Sequence, residues 1–191
     1  MGYSTIFIGA LDFNKPVTNE LQNYINTFSA TRRMERNNEK IKELYPNWKQ
    51  QCWHGNLGKN GEYFIGDIDN CGRDISESII NYNEPPMTQP GLWCQWIIKD
   101  NQLVWNEVEK FYSYVDWLEY LITNFFEPDG YILNGKIHFQ GEDSDDNGMI
   151  IVTNNNITVT YTDAVLTDFT DVELIEEVKR RGYHVLNGVL C

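Results

Sequence analysis

A chain of 191 residues and 22.3 kDa is long enough for one domain of ordinary size and too short for two full ones. With 41% hydrophobic and 14% aromatic residues it has ample material for a packed core, which excludes global disorder. The formal charge of -13 sits in one stretch, since residues 100 to 178 hold seventeen acids against two bases, Lys110 and Lys136; such a field disfavours direct binding to nucleic acid or anionic membranes and favours a cationic partner, although solubility alone accounts for the same numbers.

Ser4 to Phe13 is rich in β-branched and aromatic residues and predicts a strand. Thr18 can cap a helix in which Leu21, Tyr24, Ile25 and Phe28 form one apolar stripe. Residues 32 to 45 are charged and partly helical, stopped by Pro46, and 47 to 60 read as an irregular loop. Glu62 to Ile65 predicts a short strand, and the prolines at 85, 86 and 90 a rigid extended connection. Leu92 to Lys99 and Gln102 to Asn106 predict a hairpin turning at Asp100-Asn101, two residues that tolerate positive φ. Phe111, Val115, Leu118, Ile122 and Phe125 mark a helix ended by Pro128 and Gly130. Tyr131 to Gln140, Met149 to Thr153 and Ile157 to Thr162 follow as three strands, the second turn being made by Asn154 to Asn156. The predicted class is α+β: a mostly antiparallel sheet, a hairpin plus a three-stranded meander, packed with two or more helices. Residues 1 to 162 form this domain. Residues 163 to 191 form a tail, with a linker to Thr170, a short amphipathic helix from Asp171 and a strand over Tyr183 to Leu190.

Sequence motifs supply no chemistry. Asp143-Ser-Asp-Asp-Asn-Gly148 copies the opening of a calcium loop, but its twelfth position is Asn154 and its flanks are strands, and a hairpin loop explains the same letters. Asp67-Ile-Asp-Asn-Cys-Gly72 is a weaker match, and Cys52-Trp-His54 has no second ligand pair for zinc. Phosphate-loop, dinucleotide and Gly-x-Ser-x-Gly signatures are absent, so no cofactor, metal or catalytic residue is expected, and an enzyme has no positive support. Cys52, Cys71, Cys94 and Cys191 lack a Cys-x-x-Cys pair, as free thiols do. No apolar run reaches the ~20 residues of a membrane span and no signal-peptide pattern opens the chain, so a cytoplasmic setting is expected.

Three groups of residues remain as candidate sites. Arg32, Arg33 and Arg36 are half of the six arginines and suit phosphate or carboxylate, in a ligand or in this protein itself. Trp93, Gln95 and Trp96 lie in Pro90-Gly-Leu-Trp-Cys-Gln-Trp96, where indoles serve either a core or a stacking surface. The acids form two patches: Glu107, Glu109, Asp116 and Glu119 around one helix, and Glu142, Asp143, Asp145 and Asp146 in one hairpin.

In combination, Thr31-Arg-Arg-Met34, Asn81-Tyr-Asn-Glu-Pro-Pro86, Gln89-Pro-Gly-Leu-Trp-Cys-Gln-Trp96, Glu109-Lys-Phe-Tyr112 with Trp117-Leu-Glu-Tyr-Leu-Ile122, and Gly130-Tyr-Ile-Leu-Asn-Gly135 with Gln140-Gly-Glu142 resemble a family of small proteins of bacteria, phages and other mobile elements that has no assigned activity. The resemblance spans most of residues 5 to 160 and implies a setting, the cytoplasm of a host cell, with no mechanism attached. Together with the acidity it gives the first expectation: a non-enzymatic protein that binds a basic host macromolecule, such as the nucleic-acid groove of a guided effector, in the manner of an anti-CRISPR inhibitor. The alternative is a protein that binds or sequesters a nucleotide-like ligand through Arg32, Arg33, Arg36, Trp93, Gln95 and Trp96. An enzyme acting on nucleotides or protein side chains is the third reading. The tail is a candidate self-association element.

Overall fold

The computed structural model describes residues 2–66, 75–143 and 145–161, together with the short strands at 185–186 and 189–190. Ten strands and three α-helices are seen in these residues. They are β1 (Thr5–Phe13), α1 (Asn19–Ala30), β2 (Glu35–Arg36), α2 (Asn38–Leu44), β3 (Ile79–Asn81), β4 (Trp96–Lys99), β5 (Gln102–Trp105), α3 (Tyr114–Leu121), β6 (Leu133–Gly141), β7 (Asn147–Thr153), β8 (Asn156–Tyr161), β9 (Val185–Leu186) and β10 (Val189–Leu190). The main sheet has six strands in the order β4-β5-β1-β6-β7-β8, each neighbouring pair antiparallel. The fold is therefore α+β, with the hairpin on one side of β1 and the meander on the other.

Period-two alternation decides which residues of β1 enter the core. Phe7, Leu11 and Phe13 are buried while Ile6 and Asp12 on the opposite pleat are exposed. Across the ladder Phe7 meets Phe139 and Leu11 meets Gly135, so β1 and β6 share one inner face. Two glycines permit that pairing. Gly9 and Gly135 have φ of +114° and +147°, and a Cβ on either would strike a backbone carbonyl of the facing strand, Lys136 O or Ala10 O.

α1 follows the predicted stripe, with Leu21, Tyr24, Ile25 and Phe28 buried and the Thr18 hydroxyl accepting the Leu21 N–H. It also serves the sheet edge. β4 is the last strand of its sheet, and the Asn26 amide brackets Ile98, donating to Ile98 O at 2.9 Å and accepting from Ile98 N at 2.8 Å, while the Ser29 hydroxyl donates to Trp96 O. Side chains of the helix thus occupy backbone groups that would otherwise recruit another strand.

Several local expectations are corrected. Glu62 to Ile65 is a turn, with only an isolated bridge from Phe64 to Cys52, because the preceding Gly58, Asn60 and Gly61 turn the chain through left-handed conformations. The loop at 47 to 60 contains three short 3-10 turns, Trp48–Gln51, Trp53–Gly55 and Lys59–Gly61. These pack with α2 over a small second core of Ile41, Cys52, Leu57 and Phe64. The first hairpin strand begins at Trp96, later than Leu92. Phe111 precedes the third helix, which begins after Ser113 in a left-handed conformation and ends in a π-helical turn, Ile122–Phe126. In the tail, β9 and β10 pair as a small antiparallel ribbon where one strand was expected. The Asp67 motif, the linker and the helix from Asp171 lie outside the described residues.

Candidate functional site

The three arginines part company. Arg33 is 2% exposed, and its guanidinium lies 4.0 Å over the Phe28 ring, donating to Glu62 O, Phe64 O and the Thr31 hydroxyl at 2.9, 2.8 and 3.1 Å. Burial holds its pKa below the ordinary arginine value. Arg36 is buried as well, donating to the Ser78 hydroxyl and lying over Phe64. Both anchor the loops at 58–66 and 76–78 to the body. Only Arg32 stays at the surface, where its guanidinium stacks on Tyr82 at 4.7 Å, lies 5.9 Å from the Trp93 ring and donates to Tyr82 O.

The two indoles divide in the same way. Trp96 is fully buried, edge-on to Phe7 and Phe111, with its N–H donating to Tyr114 O, so it belongs to the core and leaves the ligand-accessible set. Trp93 lies outside the strand, half-buried, and borders a cavity of about 740 Å³. That volume falls within the range of small-molecule sites, ~300–1,000 Å³. Its wall is mostly apolar, with Leu92, Trp93, Val108 and Tyr112 the largest apolar side chains beside Gln95, Glu109 and Lys110, and it lies between the end of α1, the 91–95 segment and the loop leading to α3.

Gln95 sets the shape of that loop. Its Oε1 accepts the Trp105 indole N–H and its Nε2 donates to Glu109 O, both at 3.2 Å, while its carbonyl accepts from Asn106 N. Held this way, the loop carries three non-glycine residues at positive φ, Glu107, Lys110 and Ser113. Left-handed backbone at such residues costs free energy and collects at ligand clamps and active sites. Sequence reading missed the wall residues Val108 and Tyr112, about half exposed at 54% and 56%. Their only signal was two apolar side chains in a charged stretch.

The acids occupy three places. Glu107 and Glu109 lie in the loop before α3, not on a helix as expected, because the helix begins only after Ser113. Asp116 and Glu119 are on the exposed side of α3 and line a surface cleft with Gln89 and Tyr120. The hairpin acids connect β6 to β7. Two of them hold the amino terminus, Glu142 accepting from Ser4 N at 2.8 Å and Asp146 from the Tyr3 hydroxyl at 2.6 Å. Glu142, Asp143 and Asp145 are exposed, and none of the hairpin acids joins an ion pair among the described residues.

Beneath the α3 cleft lies a buried carboxylate. Glu62 accepts from Lys59 N at 2.7 Å, from the Thr88 hydroxyl and from the Tyr120 hydroxyl at 3.2 Å, and desolvation raises the pKa of Tyr120 well above that of an ordinary tyrosine. Among the described residues no three His, Cys, Asp or Glu side chains are grouped to hold a metal ion, and no helix is long and apolar enough to cross a membrane. Cys52 and Cys94 are free, buried thiols. No protein-family model, curated protein or solved structure matches the chain, so the geometry of these residues carries the functional argument.

Proposed function

We propose that this is a binding protein whose ligand is a planar ring system with an apolar stacking face, such as a nucleobase, held in the Trp93 cavity. The observation that carries the reading is a cavity of about 740 Å³ whose apolar wall includes a loop with three left-handed non-glycine residues. Trp93 and Tyr112 place aromatic rings in the wall, and Arg32, outside the lining but 5.9 Å from the Trp93 ring, suits an anionic substituent. Calorimetric titration with nucleotides, cyclic dinucleotides and ADP-ribose derivatives tests it. Saturable binding is expected, weakened about 5- to 150-fold by Trp93→Ala, since ring stacking on a base contributes ~1–3 kcal/mol. No binding to any of them at millimolar concentration removes the reading.

A second reading keeps the acidic surface as a docking site for a basic macromolecule, such as the groove of a nucleic-acid-guided effector. It is favoured by Glu142, Asp143 and Asp145, exposed at one hairpin with no described cation paired to them. Asp143→Lys with Asp145→Lys leaves the contacts to Tyr3 and Ser4 made by Asp146 and Glu142 in place, so stability should change by less than ~0.5 kcal/mol per site. Partner capture at low salt should fall sharply. Unchanged capture by the double variant counts against mimicry.

A further inference from the structure

We propose that the cleft between α3 and the 87–90 segment is a recognition site for a guanidinium group, the side chain of an arginine on a protein partner. The cleft, of about 370 Å³, is separate from the Trp93 cavity and does not depend on a ligand there. Its polar atoms carry the argument.

The donors facing the cleft are already committed. The Thr88 hydroxyl donates to Glu62, and the Tyr120 hydroxyl donates to Glu62 while accepting from Gln89 Nε2. The Asn124 amide is engaged at both ends, donating to Tyr120 O and accepting from the Tyr63 hydroxyl, each at 2.9 Å. Apart from the Thr123 hydroxyl, which can act either way, and the second Asn124 Nδ2 hydrogen, the side-chain groups left over are acceptors. Asp116 and Glu119, one helical turn apart on the exposed side of α3, take part in no ion pair among the described residues.

The third acceptor is buried and comes from another element. Gln89 is 6% exposed, and its Nε2 is turned inward onto Glu62 O at 2.6 Å and Tyr120 Oη at 3.1 Å. Glu62 O can only accept, which fixes the amide orientation and leaves Oε1, in a side chain that lines the cleft, buried and without a hydrogen-bond partner. A buried amide oxygen left unpaired costs ~1–3 kcal/mol. A donor-rich, positively charged ligand would satisfy it and both carboxylates together. Three acceptors spread over two elements suit a planar fork of five N–H donors better than the compact head of an ammonium, and the apolar Met87 and Pro90 in the same lining suit the alkyl stem.

The test is an NMR titration of the ¹⁵N-labelled full chain with the blocked peptide acetyl-Gly-Arg-Gly-amide. In parallel runs its arginine is replaced by lysine or by neutral citrulline, and free agmatine serves as the small-molecule arm. The arginine peptide is expected to shift the Gln89 side-chain amide and the 116–124 backbone amides saturably in the millimolar range. The lysine peptide should bind at least fivefold more weakly and the citrulline peptide not at all. Asp116→Asn with Glu119→Gln, at exposed positions that leave the buried floor intact, should raise Kd at least tenfold with near-ultraviolet circular dichroism unchanged. Equal binding of lysine and arginine overturns the guanidinium assignment, and binding of agmatine without the peptide overturns the protein source. Absence of saturable shifts, or an unchanged Kd in the double variant, overturns the site.

Discussion

Arg33 offers the strictest check on the division between structural and accessible arginines. Arg33→Met keeps an unbranched stem of similar length and removes the guanidinium that bonds Glu62 O and Phe64 O at 2.9 and 2.8 Å over the Phe28 ring. The two charge-assisted bonds are worth ~1.5–3 kcal/mol each, and a desolvated cation on a ring adds ~2 kcal/mol. Against these stands the relief of a buried charge, the same desolvation that depresses the Arg33 pKa. Glu62 O also keeps its bond from Gln89. A net loss of about 3 kcal/mol follows, at the lower end of what breaking a buried charged network costs. Arg32→Ala, at a half-exposed position, should cost ~1 kcal/mol or less. Urea denaturation followed by tryptophan fluorescence would resolve the two, Arg33→Met moving the midpoint down by roughly 1 M or more. A midpoint for Arg33→Met close to wild type, or equal losses for the two variants, would refute the assignment of Arg33 to the scaffold.

Burial pushes the thiols of Cys52 and Cys94 up to about 12. In a Cys71→Ser, Cys191→Ser variant, iodoacetamide near pH ~8 should therefore label neither until the chain unfolds, and rapid native labelling would contradict this. The same thiols, with Tyr24, Tyr114 and Tyr120 raised mainly by desolvation, bind their protons more tightly when folded than when unfolded. The stability they contribute is complete below the ordinary thiol value of 9.0 and declines as pH rises towards 12; urea midpoints that stay level across that window would exclude it. Gly9→Ala and Gly135→Ala should each cost about 2–4 kcal/mol, since each forces a Cβ into the facing strand at positive φ. A melting temperature within about 2 °C of wild type for either would show that the β1–β6 ladder relaxes around the added methyl.

What the amino-acid sequence determined by itself was set by short-range physics. β1 is read from its β-branched and aromatic run, α1 from the Thr18 cap and a four-residue apolar stripe, and the two hairpin turns from Asp100-Asn101 and Asn154-Asn155, all four at positive φ. Each signal acts within a few residues, so tertiary context had little to overrule. The extent of α3 was not legible, because Phe111 continues the apolar period and only Ser113 in a left-handed conformation starts the helix. Nor was the sorting of like residues. Arg32 and Arg33 are chain neighbours, yet one guanidinium stacks at the surface and the other is sealed over Phe28, because the 62–64 carbonyls come from a segment some thirty residues away. Trp93 and Trp96 divide similarly according to which of them begins β4. The Trp93 cavity and the orphaned Gln89 oxygen arise only where distant segments meet. Local propensity therefore determined most elements, whereas long-range packing decided which polar and aromatic side chains were left for a ligand.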